Sequence, residues 1–204
     1  MKIKSPVHFA AIAVFSVSFM VYYLTLEPTT SYCDCGEFIL SAAKLEVNHP
    51  SGAPLFVLLG RIFTFLSFGD NQKIAWSINL MSGFFSALTI YFLFRIIVLL
   101  GKKMSTNSFQ IVGSAVIGSL TFAFTDSFWF SAVEGEVYAL SMFFLTICFW
   151  AALKWEAGFG EPGNNRWILF TAFLTGLGLG VHLMNLLVIP SATLIVFLKS
   201  RNKT

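Results

Sequence analysis

Leu55-Phe56-Val57-Leu58-Leu59-Gly60-Arg61-Ile62-Phe63-Thr64-Phe65-Leu66-Ser67-Phe68 is the stretch on which the architecture turns. It is apolar apart from Arg61, but short beside the ~20 residues a helix needs to cross a ~30 Å hydrocarbon core. Longer uncharged runs surround it at 7–26, 74–94, 109–125, 137–153 and 167–198. The first follows Lys2 and Lys4 but has no small-residue cleavage site behind it, so it reads as a membrane span rather than a signal peptide. The last is too long for one span and carries Gly176, Gly178 and Gly180. It reads as a hairpin, 167–180 and 183–198, turning near Gly180-Val181-His182.

Charge decides whether 55–68 crosses. If it does not, the segments 1–6, 95–108, 154–166 and 199–204 share one side. They hold Lys2, Lys4, Arg95, Lys102, Lys103, Lys154, Arg166, Lys199, Arg201 and Lys203, ten of the 13 basic residues. If it does cross, the later clusters change sides and the excess of positive charge on cytoplasmic loops is lost. The sequence therefore predicts an all-α polytopic membrane protein of about six spans with both termini cytoplasmic. Residues 27–73 form an outer loop, with 55–68 interfacial or re-entrant and Arg61 either snorkelling to water or lining a site.

Composition agrees. Hydrophobic residues make up 56% of the 204, charged residues 11%, and mean hydropathy is +0.78, where a soluble domain carries about 25% charged residues. A net charge of +3 excludes a nucleic-acid-binding domain with a basic face. The three cysteines form no disulfide framework, and Cys33 and Cys35 are too close to pair easily.

On this topology eight of the ten acidic residues fall outside: Glu27, Asp34, Glu37, Glu46, Asp70, Asp126, Glu134 and Glu136. Asp34 and Glu37 have capping-box spacing, yet a carboxylate held at a helix N-terminus also suits a general base. Glu134 and Glu136 flank Gly135 where the third span gives way to the fourth. They read as a solvated turn, as ligands for Mg²⁺ or Mn²⁺, or as groups that orient a hydroxyl acceptor. His49 precedes Pro50, and His182 tops the hairpin with Asn185 beyond it. Each reads as an interfacial anchor or as a substrate-binding group, and Arg61 as a snorkel or a phosphate ligand.

The runs Cys33-Asp34-Cys35-Gly36-Glu37-Phe38, Asn48-His49-Pro50-Ser51-Gly52-Ala53-Pro54, Phe128 to Tyr138, and Gly180-Val181-His182-Leu183 carry a resemblance. They resemble a family of large bacterial membrane proteins related to the vertebrate transmembrane protein O-mannosyltransferase, itself similar to the GT-C membrane glycosyltransferases. The resemblance implies the N-terminal part of a longer enzyme in the bacterial inner membrane, with its active site on the periplasmic side. The partners it implies are a polyprenyl-phosphate sugar donor, plausibly of mannose, an acceptor protein or peptide with a Ser or Thr hydroxyl, and the lipid bilayer. It matches Asp34 and Glu37 to an acidic element in the first outer loop and Glu134 and Glu136 to an acidic pair in the next. The mechanism read on that basis gives Asp34 and Glu37 to catalysis, His49, Arg61 and His182 to substrate, and Glu134 and Glu136 to a Mg²⁺ or Mn²⁺ ion. The competing readings are a non-catalytic scaffold or transporter subunit, and an inactive truncated homologue. A transporter predicts ionisable groups lining a path across the bilayer, and here the acidic residues cluster on one side instead.

Overall fold

The computed structural model describes residues 4–50 and 52–201. Lys2, Ser51 and Lys203, which entered the reading above, lie outside them. Among the described residues the chain is helical, without strands. The helices are α1 (Lys4–Leu24), α2 (Cys35–Lys44), α3 (Pro54–Phe63), α4 (Ile74–Met104), α5 (Ser108–Ala123), α6 (Asp126–Val133), α7 (Val137–Ala157), α8 (Arg166–Leu179) and α9 (Val188–Arg201). Three short 3-10 turns, Thr64–Ser67, Asn71–Lys73 and Leu183–Leu187, join some of them.

Helix α4 is the axis of the bundle, packed against α1, α5 and α7. Ser77, Ser82, Gly83, Ser86, Ala87 and Thr89 are buried along it. Small residues let backbones approach closely where lipid removes the hydrophobic drive between helices. Its 31 residues make a rod of about 46 Å, longer than the hydrocarbon core. It therefore runs past the expected end at 94 to Lys102 and Lys103.

Four helical segments are long and apolar enough to cross a membrane, Pro6–Leu24, Asn71–Met104, Val137–Ala157 and Leu183–Arg201, and the α5–α6 pair makes a fifth if its 67° bend is a broken span. Here the structure departs from six full spans. Helix α8, placed at one of them, has 14 residues and reaches only about 21 Å. The segment 55–68 is likewise shorter than a span. It forms the ten-residue α3 and a 3-10 turn, then returns to α4 through Gly69, whose φ is +84°. Leu58, Ile62, Phe65 and Phe68 stay exposed on it, an apolar face suited to a membrane interface. Helix α3 crosses α2 at Gly60, where a Cβ would come within 2.7 Å of Ala42 Cβ.

Antiparallel alternation brings the ends of α1, α5, α6 and α8 together with the starts of α4 and α7. At the other end Lys103 pairs with Glu156 at 2.5 Å, near the α4, α7, α8 and α9 termini that carry Lys102, Lys154, Arg166 and Lys199. Lys102, Lys103, Lys154, Arg166 and Lys199 thus gather at one end and the candidate acids at the other, while Lys44, Arg61 and Lys73 stay with the 27–73 loop. These spans make the chain an integral membrane protein.

Candidate active site

The loop residues are held by backbone bonds that tie distant segments together. Glu27 N donates to Val133 O at 3.1 Å, and Leu55 N to Gly180 O at 2.8 Å. Asn79, fully buried on α4, donates from Nδ2 to Glu27 O at 2.6 Å and Thr29 O at 2.9 Å. Its Oδ1 has no partner among the described residues and lies where a Cβ on Gly135 would come within 2.9 Å. The strand of chain leading to Asp34 and the Glu134–Glu136 turn therefore meet on one amide. Trp129 Nε1 adds a bond to Thr25 Oγ1 at 3.0 Å.

A small cavity of about 70 Å³ opens where these segments converge, lined by Asp34, His49, Glu136, Tyr138 and His182 among others. Four stretches far apart in sequence supply those side chains. Asp34 stands at the N-cap of α2 but makes no side-chain cap bond. Glu37 does not reach back to it either. Its Oε1 accepts from His49 N at 2.6 Å and its Oε2 meets His49 Nδ1 at 3.1 Å. No capping box forms, which leaves the Asp34 carboxylate open to the cavity. The His49 backbone N–H, and then its ring, hold the Glu37 carboxyl below the usual range.

Glu134 and Glu136 are not a solvated turn, being 4% and 6% exposed. Burial pushes the Glu136 carboxyl up to about 7, with the charges of Glu134 and Asp34 adding and His49 opposing. Burial also raises Glu134, aided by Glu27 and offset in part by Ser31. The Glu134 Oε2 has no hydrogen-bond partner among the described residues. As a cation pair the two do not gather a third ligand. Among the described residues, the three ligand-type side chains whose donor atoms lie within 4.8 Å of one another are Asp34, Glu37 and His49, all exposed. Cys35 is buried and its thiol pushed up by that burial, so it is a poor metal ligand.

His182 N-caps the 3-10 turn after α8, its Nδ1 accepting from Met184 N at 3.1 Å. That bond leaves the proton of the neutral ring on Nε2. Asn185, fully buried, braces the same corner, with Nδ2 near Gly178 O at 2.9 Å, Ser141 Oγ at 3.0 Å and His182 O at 3.1 Å. Arg61 is not brought to the cavity. Its Nη1 donates to Ala43 O at the far end of α2, so in this structure it caps that helix end and is not among the residues that line the cavity. Asn79 and Tyr138 escaped the sequence reading. A lone amide inside the uncharged run 74–94 was the available signal, since polar groups at membrane depth are costly and usually have a task.

These features define a class: an all-helical polytopic membrane protein with a carboxylate- and histidine-lined cavity at one end of its bundle. Within that class, the chain belongs to the family described as protein O-mannosyl-transferase TMEM260 N-terminal domain, which matches residues 34–204. It is 26% identical over 195 residues to protein O-mannosyl-transferase tmem260 of Dictyostelium discoideum, covering 90% of this chain and 23% of that protein. It is 30% identical over 173 residues to protein O-mannosyl-transferase TMEM260 of Mus musculus, covering 83% and 23%. The chain thus spans about a quarter of the length of the curated relatives it matches. No solved structure matches it. The resemblance to relatives of the vertebrate O-mannosyltransferase is borne out.

Proposed function

We propose that the chain carries the catalytic residues of a GT-C-like membrane glycosyltransferase. It moves a sugar, mannose, from a polyprenyl phosphate to a Ser or Thr hydroxyl of a protein on the extracytoplasmic face. The observation that carries this reading is the cavity that collects Asp34, His49, Glu136 and His182. The relatives' name supports the sugar and the transfer. The basic residues at the opposite end support the sidedness through the positive-inside preference, with both termini cytoplasmic.

In this reading the acceptor oxygen attacks the anomeric carbon, the bond from that carbon to the phosphate oxygen breaks, and the hydroxyl proton passes to Asp34. Glu37 acts through His49, fixing its ring. The Nε2–H of His182 offers a donor to the charge that develops on the leaving phosphate. Glu136, raised by burial to about 7, is in its protonated form a further donor.

A cation requirement is the second reading. Mg²⁺ or Mn²⁺ would be held by Asp34, Glu37 and His49, where it would supply positive charge to the phosphate. Loss of transfer on chelation, restored by Mn²⁺, would favour it over the metal-free site.

The test is Asp34→Asn in the protein as it occurs naturally, assayed with mannosyl-phosphoryl-polyprenol and a Ser/Thr peptide. Transfer should fall by about 10²–10⁴-fold, the usual contribution of a general base. Melting should not move, because Asp34 makes no cap bond. Transfer retained in Asp34→Asn removes it as the base.

A further inference from the structure

At the end of the bundle away from the acidic cavity, α4, α7 and α9 leave a cleft. Its foot is a cavity of about 650 Å³ whose lining includes Lys103, Phe149, Leu153, Glu156, Leu198 and Lys199. A second cavity, of about 310 Å³, adjoins it at Phe149 and continues between the same helices past Leu145 and Ala192 to Leu187. The upper walls are apolar; the foot is cationic. Two ammonium groups face one carboxylate there, and that carboxylate, Glu156, is paired with Lys103. Lys199 makes no ion pair among the described residues. Of the elements that form the long walls, α7, and α9 together with the 3-10 turn before it, are long and apolar enough to cross a membrane. The cleft therefore runs from the basic membrane surface toward the bilayer middle.

Charge complementarity selects the occupant. A molecule that fits must carry an anionic head for Lys103 and Lys199 and apolar tails for the walls above them. The membrane supplies such molecules at the leaflet where basic residues concentrate. We propose that this cleft binds an anionic glycerophospholipid, its phosphate between Lys103 and Lys199 and its acyl chains between α7 and α9. The site does not depend on the transfer activity. It is remote from the acidic cavity, and its head-group end is the opposite one.

The test is native mass spectrometry of the purified protein, released from micelles holding equal amounts of phosphatidylglycerol and phosphatidylcholine. Phosphatidylglycerol should be the lipid retained. Each of Lys103→Ala and Lys199→Ala should weaken its retention about fivefold, the effect of one basic residue at a membrane surface. Glu156→Gln should strengthen it, because Lys103 then loses its internal partner, and Lys73→Ala at the other end should change nothing. Equal retention of the two lipids, or a Lys103→Ala/Lys199→Ala double variant that holds phosphatidylglycerol like the parent, overturns the site. Unchanged retention in Glu156→Gln overturns the placement of the phosphate beside Lys103.

Discussion

Glu37 and His49, on either side of the α2 C-terminus, are joined twice: backbone N to Oε1 at 2.6 Å and ring Nδ1 to Oε2 at 3.1 Å. A carboxylate can accept both bonds; a glutamine amide keeps one acceptor and turns the other into a donor. Glu37→Gln should therefore loosen the His49 ring while leaving α2 in place. Misplacement of a site group by about 1 Å can cost about 10²-fold, so a drop in kcat of that order is expected. The carboxyl is held below its usual 4.5, so its contribution to stability is present above that value and lost as pH falls through the lowered one. Acid melting curves of parent and variant should converge at the lowest pH and separate above it.

Glu136 runs the other way. Its folded pKa of about 7 exceeds the ordinary 4.5, so between those values the folded chain binds more protons than the unfolded one. Stability from this group falls as pH rises through that window and then levels off. Glu136→Gln removes the slope. Its melting temperature, measured relative to the parent, should be higher at about pH 8 than at about pH 4.5. A parent-to-variant difference that does not change with pH would show that the carboxyl is not held protonated.

Gly135 is the tightest point between the two acidic segments. A Cβ there would lie 2.9 Å from Asn79 Oδ1, 3.0 Å from Ile39 Cγ1 and 3.2 Å from Ile78 Cγ2. Gly135→Ala should cost about 1–3 kcal/mol, as overpacking in a filled site does. The closest atom belongs to Asn79, so Asn79→Ala in the same chain should relieve part of that cost. A double-mutant cycle on melting in detergent measures the coupling. Strict additivity would mean that the two segments do not meet at Asn79.

Charge and length made the fold readable in advance. Uncharged runs marked most of the spanning helices, and the bias of lysine and arginine set 55–68 apart from them, where the chain forms the short α3 and a 3-10 turn. The uncharged run 109–125 ended at the break before Asp126, but it gave no sign that the chain turns there by 67° into the short helix α6. At the site, Asp34, His49 and His182 were visible as polar residues in turn-rich or apolar surroundings. The Glu37–His49 clamp was not, since Asp-x-x-Glu spacing favours a capping box and only tertiary packing puts His49 in competition for the same carboxylate. The separation of Arg61 from the cavity is likewise set by the α2–α3 crossing at Gly60, which leaves no periodic trace.

His182 closes the cavity from the hairpin side, and its tautomer is fixed by the bond from Met184 N to Nδ1 at 3.1 Å. The remaining nitrogen is a donor when the ring is neutral. If that donor meets the leaving phosphate, a side chain that offers an N–H from a similar reach should substitute for it. His182→Gln is then expected to keep most of the transfer rate, while His182→Ala loses about 10²–10³-fold, the scale for removing one donor to developing negative charge. Asn185→Leu gives the structural control. It removes the amide that bonds Gly178 O, Ser141 Oγ and His182 O and should cost about 1–3 kcal/mol of stability. A purely structural His182 would show the reverse pattern: His182→Gln and His182→Ala equally active at a temperature where both are folded, with losses only in melting.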